Sequence, residues 1–468
     1  MHNSQVIQLF LSLSKEEKIA LRKFLASPYH NSREDVQQLY AYMLRHYRHN
    51  RAALSKETVF KHLFPERAYD DKAMRYLMSF LHKCMEQYLI QQAWDKQKIE
   101  QQLLLSKIYR ERQLTKGLRQ TLQRTRRQAA AFPYRDILFY ELRYQLESAH
   151  YDAQVGEERN APLNLQEWSQ ALDMAYLAKK LKQSCFALAH QAVYKVEYDK
   201  GLLAPILSYL AHYPQLDEHP AIALYYYFYK AQTEQGDDYF QKLKQGILAN
   251  IHLLPSKEKH NIYLAAINYC IQRFNKGDEQ YLREVFDLYR AGIEQAILFE
   301  NDVLSRFTYK NIVAIALRLQ EYGWTERFIR DYSHKVESRY RESYTHYNQA
   351  KLYYHQQKYG EAIQGLQKVA YDDLFLSLDA KVMLLKTYYE LGELEVLDSF
   401  ITSFQRFLQR KKGIGYHQEN YQNIIRFTKK LLVLNPYDRI AKQALIEELE
   451  NTPALAEREW LRTQLLQL

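Results

Sequence analysis

Apolar residues recur at three- and four-residue spacing along most of the chain, the mark of helices that each bury one face. The clearest run is Met74, Leu77, Met78, Leu81, Met85 and Leu89. Helix starts are well marked in the first part. Ser14-Lys-Glu-Glu17 reads as a capping box, in which hydroxyl and carboxylate satisfy the first orphan amides. It opens a helix through Phe24 that Ser27-Pro28 ends, because the residue before proline avoids the α region. Ser32-Arg-Glu-Asp35 starts a second helix to about Tyr47, and Ser55-Lys-Glu-Thr58 a short third that stops at Phe64-Pro65. Asp70-Asp71 caps the long helix that carries the Met74–Leu89 run. One helix from Leu103 runs on towards Arg127, and another spans roughly 134–150. Between Tyr151 and Asn164 the period lapses around Gly156, Asn160 and Pro162. The pattern therefore predicts an all-α protein with an N-terminal helical domain over 1–150, a linker at 151–165 and a second helical domain over 166–468.

Beyond the linker the helices come in pairs. Tight-turn signals recur at Gly236, Gly277, Gly323, Gln357 and Gly392, at intervals of 41, 46, 34 and 35 residues. Within this series, Gln349 to Ala362 (QAKLYYHQQKYGEA) is followed by Leu366 and Val369 and resembles a tetratricopeptide repeat. Small Ala350 and Ala362 stand where that family's two helices cross, and Tyr353 and Tyr359 fill the wedge beside them. Leu384 to Phe400 repeats the arrangement with Tyr388 and Gly392. It departs from the family by placing Leu385 and Leu397 where small residues are usual. The resemblance covers the C-terminal two-thirds of the chain only. It implies an α-solenoid of stacked hairpins with a concave groove, closed at its end by a helix over 454–466 with Trp460 and Leu461 inward and Arg458 and Arg462 outward.

Composition agrees with long helices and short loops. Gly and Pro together number 23 of 468 residues, about 5% against an average near 12%. The 41 tyrosines suit helix–helix packing with hydroxyls at a solvated rim, or a Tyr-lined binding surface. Cys84, Cys185 and Cys270 are odd in number and far apart, so neither a disulfide framework nor a metal pair is implied. With no secretory signal and no apolar run of spanning length, the expected location is the cytoplasm.

No catalytic pattern emerges. Lys412-Gly-Ile-Gly415 lacks the rest of a phosphate loop, His46 and His49 sit among arginines that repel a metal, and Cys185 and His190 lie among apolar residues as core packing does. Ser256-Lys-Glu-Lys259 directly follows Pro255 and reads as a helix start. The expectation is a non-enzymatic protein without cofactor or metal.

Two clusters carry possible function. Lys230, Lys351 and Lys386 each precede a turn residue by six positions, with Tyr226 and Tyr347 a helical turn before and Tyr354 and Tyr389 one after. In the tetratricopeptide family that position lines the groove. This ladder implies a peptide groove for a protein partner with acidic side chains or a C-terminal carboxylate. Ile271 and Leu317 occupy the equivalent places in the intervening hairpins. The second cluster is basic. Residues 1–135 carry 25 Lys and Arg against 12 Asp and Glu, and Arg112, Lys116, Arg119, Arg126 and Arg127 share one face of the helix predicted there. That face is either solvated surface or a phosphate-binding surface. The leading expectation is an interaction scaffold or adaptor. The alternative is a nucleic-acid-binding regulator with a basic N-terminal domain and a repeat sensor domain. A sharper form of it treats residues 55–90 as a helix-turn-helix.

Overall fold

The computed structural model describes residues 4–47, 54–155, 162–194, 196–234, 236–369, 373–410 and 417–468. His49, Gly156, Asn160 and Lys412-Gly-Ile-Gly415 lie outside them. Among the described residues the fold is all-α. Its strand content is one antiparallel pair of two-residue strands, β1 (Phe299–Glu300) and β2 (Val303–Leu304). None of these helices is long and apolar enough to cross a membrane. The chain forms two compact units, Met1–His212 and Tyr213–Leu468.

The first unit opens with α1 (Gln5–Ser12), α2 (Lys15–Ala26), α3 (Glu34–His46), α4 (Lys56–Leu63) and α5 (Asp71–Trp94). Ser14 and Glu17 exchange both capping-box bonds, at 3.1 and 2.7 Å. Ser55 and Asp70 cap α4 and α5 through their side chains. The α1–α4 helices pack on α5, whose Met74, Leu77, Leu81 and Met85 are buried in one shared core. In α4–α5 a seven-residue connection, 64–70, joins the helices. The α5 stripe is spent on the core, and Lys56 on α4 pairs with Asp71 at 2.8 Å.

The unit continues with α6 (Lys98–Glu111), α7 (Thr115–Ala130), α8 (Ile137–Gln154), α9 (Leu165–Tyr194) and α10 (Leu203–Ala211). The single helix expected towards Arg127 is two, because Gln113 takes a left-handed conformation at φ 56° and Leu114 bonds back to the Tyr109 carbonyl at 2.8 Å. Gly117 lets α7 fold against α6: a Cβ there would come 3.0 Å from the Tyr109 ring. The expected linker at 151–165 falls between α8 and α9, which pack along one another, and the compact units divide at 212/213 instead. Asn164 fastens the start of α9 to α8 through the Glu147 carboxylate at 2.8 Å.

The second unit runs through five helix pairs: α11 (Pro220–Thr233) with α12 (Asp238–Asn250), α13 (Ser256–Asn275) with α14 (Gln280–Glu294), α15 (Arg306–Arg318) with α16 (Tyr322–Tyr332), α17 (Arg341–His355) with α18 (Tyr359–Gln367), and α19 (Leu374–Leu391) with α20 (Leu394–Arg410). First helices also touch the next first helix, as in α11 with α13, α15 with α17 and α17 with α19. Finally α21 (His417–Val433), α22 (Arg439–Glu450) and α23 (Arg458–Gln467) close the C-terminal end around a core that includes Trp460 and Leu461. Arg458 does not point outward as expected. Its guanidinium turns back onto the Leu449, Glu450 and Thr452 carbonyls, satisfying acceptors that the end of α22 leaves open.

A close helix crossing lies where Ala350 and Ala362 were expected. Both are fully buried, and a Cβ on Gly365 would stand 3.0 Å from the Ala350 Cβ. Gly365→Val therefore lowers stability by about 1–3 kcal/mol through overpacking. Gly360→Ala, with nothing within 4 Å, leaves it unchanged or slightly raised. Urea unfolding of the two variants checks the contrast.

Candidate functional site

The hairpin turns set the register of the groove. Gly236, Gly277, Gln357 and Gly392 take positive φ, or, like Gly323, mark a turn by sequence alone; in the third pair the left-handed residue is Gln320 at φ 59°, while Gly323 lies inside α16. Counting six residues back from Gln320 reaches Ala314, not Leu317. Leu317 is buried in the core, and Ala314 lines the groove beside Ile271, Lys351 and Lys386. With the turn placed at Gln320, the position six residues before the turn lines the larger cavity in the third, fourth and fifth pairs, at Ala314, Lys351 and Lys386, but not in the first, at Lys230. Four residues further on, the same helix face presents Asn275, Arg318 and His355. These three were missed because the sequence reading followed one position per helix; the i, i+4 neighbour was the available signal.

Two cavities meet in this groove. One of about 300 Å³ is lined by α13, α15, α17 and α19, and one of about 110 Å³ lies between α17, α19, α21 and the segment before α23. Lys351, His355, Lys386 and Glu457 line both. The ladder residues Tyr347 and Tyr354 line the smaller one. Lys230, Tyr226 and Tyr389 are not brought to either. Lys230 is spent on Glu234 and lies 5.4 Å from the Tyr239 ring centre, Tyr226 is buried, and Tyr389 packs edge-on against Trp460.

Lys386 extends across Tyr354, its Nζ 4.9 Å from the ring centre, and bonds the Glu457 carboxylate at 2.8 Å. Glu457 precedes α23 in a left-handed conformation, φ 56°, that places its carboxylate in the groove. Desolvation opposes that charge, but Lys386, Lys351 and Arg318 outweigh it and hold the carboxyl below its usual range. Below it, Tyr354, Tyr359 and Trp460 all donate to Glu390, the last two at 2.6 Å each. Asp379 is engaged by Lys310 at 2.5 Å.

Lys351 differs from its neighbours. Among the described residues its ammonium has neither an ion pair nor a hydrogen bond. Desolvation lowers its pKa to about 8, against the pull of Glu457 and Asp379. Desolvation and the nearby cations likewise lower His355 to about 4, so its imidazole is neutral at pH 7. The arrangement places an unpaired cation and a neutral imidazole in a cavity that could hold an anion.

On the basic cluster, Lys116, Arg119, Arg126 and Arg127 are exposed on α7, while Arg112 stands outside it in the α6–α7 turn. Arg126 leans on Glu147 at 3.6 Å. Leu118, Thr121, Leu122 and Thr125 form the buried side of α7. Elsewhere, Cys185 is buried and burial raises its thiol pKa, while His190 stacks on Tyr194 and meets the Tyr198 hydroxyl at 2.9 Å. Among the described residues no cluster of His, Cys, Asp and Glu is set to hold a metal.

No family model matches the chain, and neither a curated protein nor a solved structure is detectably similar to it.

The Lys351 environment has a consequence for stability. The folded chain releases this proton near pH 8 and the unfolded chain near 10.5. Between those values the unfolded chain binds more protons, so this group makes stability rise with pH. Lys351→Met is expected to melt higher than the parent at pH 7, with a margin that narrows from pH 8 to 10.5. Paired thermal melts over that range check it; a constant margin means a solvated lysine.

Proposed function

We propose that the chain is a non-enzymatic interaction protein, a scaffold or adaptor whose second unit is a tetratricopeptide-like solenoid gripping an extended acidic segment of a partner. The paired helices, the repeated turn register and the close Ala350–Gly365 crossing support that architecture. The single observation that carries the binding reading is Lys351: an ammonium without a counter-ion, beside Lys386, in a groove faced by consecutive first helices. Burying an unpaired cation is costly unless something anionic joins it. The Glu457 carboxylate already on Lys386 is an intramolecular example of the group such a groove accepts. An acidic fluorescent peptide is expected to bind the full chain, and Lys351→Glu with Lys386→Glu to weaken it at least about 100-fold, which corresponds to two buried charge contacts at 1.4 kcal/mol or more each. Fluorescence anisotropy reads this out. A neutral peptide of the same length binding equally well sinks the proposal.

A second reading is favoured by one feature of the first unit. The α7 helix contains no acid, and its exposed face carries Lys116, Arg119, Arg124 and Arg127. That face suits a phosphate backbone, with the repeats then acting as a sensor for a protein or ligand. With about four phosphate contacts, log K against log salt falls with a slope near −3.6 on duplex DNA. Arg119→Glu with Arg127→Glu shallows it by about 2. Titration of the full chain at several salt concentrations checks this, and a slope unaffected by the substitutions removes α7 from the reading.

A further inference from the structure

The groove's charges do not balance. Arg318, Lys351 and Lys386 face a single carboxylate, Glu457, around the cavity of about 300 Å³. Glu457 is committed to Lys386 at 2.8 Å. Arg318 is exposed and lies 5.0 Å from the centre of the Phe274 ring, with no acid paired to it among the described residues. Lys351 has no paired acid either. Two cations are thus left over on adjoining helices, and neutral His355 between them adds a hydrogen-bonding group without charge.

One carboxylate would cancel half of that excess. A phosphomonoester carries between 1.5 and 2 negative charges near neutral pH, roughly the whole excess, and its oxygens match a guanidinium fork. The cavity is also at the lower end of ligand-pocket sizes, roughly 300–1,000 Å³. Its apolar wall of Ile271, Ala314 and Ile315 offers a surface for the carbon skeleton that carries the phosphate.

We infer that the cavity between α13, α15, α17 and α19 seats a phosphomonoester between Arg318 and Lys351, so that the preferred occupant is phosphorylated rather than merely acidic. This rests on the groove being the binding surface. The monoester belongs either to a phosphorylated side chain of a peptide or to a small phosphorylated metabolite.

The pH dependence separates a phosphate from a carboxylate. Lys351 is faced by His355 and Tyr347 from its own helix and by Arg318 and Lys310 from α15. From the other side Asp379 and Lys386 on α19, Tyr421 on α21 and Glu457 before α23 complete the set. Lys351 loses its charge near pH 8, and His355 is neutral above about 4. A phosphomonoester gains its second charge at about pH 6, whereas a carboxylate is fully charged well below that.

The test titrates the full chain from pH 5 to 9 with a labelled phosphoserine peptide and with its glutamate counterpart, and adds phenyl phosphate as a competitor. The expected result is at least about 10-fold tighter binding of the phosphopeptide at pH 7, or about 1.4 kcal/mol, with affinity rising through pH 6 and falling above pH 8. Arg318→Gln, at an exposed position, brings the two peptides within about two-fold of each other, and Arg290→Gln on α14, outside the groove, leaves the preference intact. Competition by phenyl phosphate at concentrations similar to the peptide identifies a small metabolite as the natural source; competition only by phosphopeptide identifies a modified partner. Equal binding of both peptides with a flat profile from pH 5 to 7.5 overturns the phosphate assignment and leaves an acidic-peptide groove. Binding of none of the probes overturns both.

Discussion

In the second unit several tyrosine hydroxyls reach carboxylates on a neighbouring hairpin, and these bonds tie one hairpin to the next. Tyr225 on α11 donates to Glu258 on α13 at 2.5 Å, and Tyr281 on α14 to Asp237 before α12 at 2.6 Å. Tyr344 on α17 reaches Asp373, the cap of α19, at 2.9 Å. Phenol-to-carboxylate bonds are charge-assisted and directional, and in a dry interface a missing partner costs more than the bond itself contributes. Ring burial alone would let the helices slide; these bonds fix where they stop. The acids and the burial together hold the Tyr344 hydroxyl above its usual range, which keeps it a donor. Of the helices that line the larger cavity, α13, α17 and α19 take part in these bonds.

The same chemistry runs in reverse at the cavity between α13, α15, α17 and α19. There the chain places cations, and it answers them incompletely. Asp379 satisfies Lys310 and Glu457 satisfies Lys386, while Glu390 receives three neutral donors from below. Lys351 and Arg318 remain. Desolvation of Lys351 costs stability in the empty protein, and in the proposed role an anion would relieve it with little reorientation, a form of preorganisation.

Much of this was legible in the sequence, for identifiable reasons. Capping residues such as Ser14 and Asp70 announce helix starts because their chemistry is local. Lys351 and Lys386 were found because each lies six residues before a turn that the sequence marks, at Gln357 and Gly392. What escaped was the turn made without glycine. Gln113, Gln320 and Gln357 all take left-handed conformations, and a search by glycine and proline finds such a turn only when its neighbours are distinctive. At Gln113 that merged two helices, and at Gln320 it shifted the register by three residues and pointed to Leu317. Glu457 escaped for another reason: it belongs to a segment 71 residues beyond its partner Lys386, and only the fold brings them together. Many of the tyrosines are buried at helix contacts, and Tyr347, Tyr354 and Tyr421 also line the smaller cavity.

Three first helices, α13, α15 and α17, each give the larger cavity two residues one helical turn apart, and none of the six is fully buried. Ile271 and Asn275, then Ala314 and Arg318, then Lys351 and His355 are successive pairs on separate hairpins. In the proposed binding role, recognition would therefore rest on residues spread over separate hairpins rather than inside one compact core. Changing one pair would then alter the surface offered at that hairpin while leaving the pairs on the neighbouring hairpins in place.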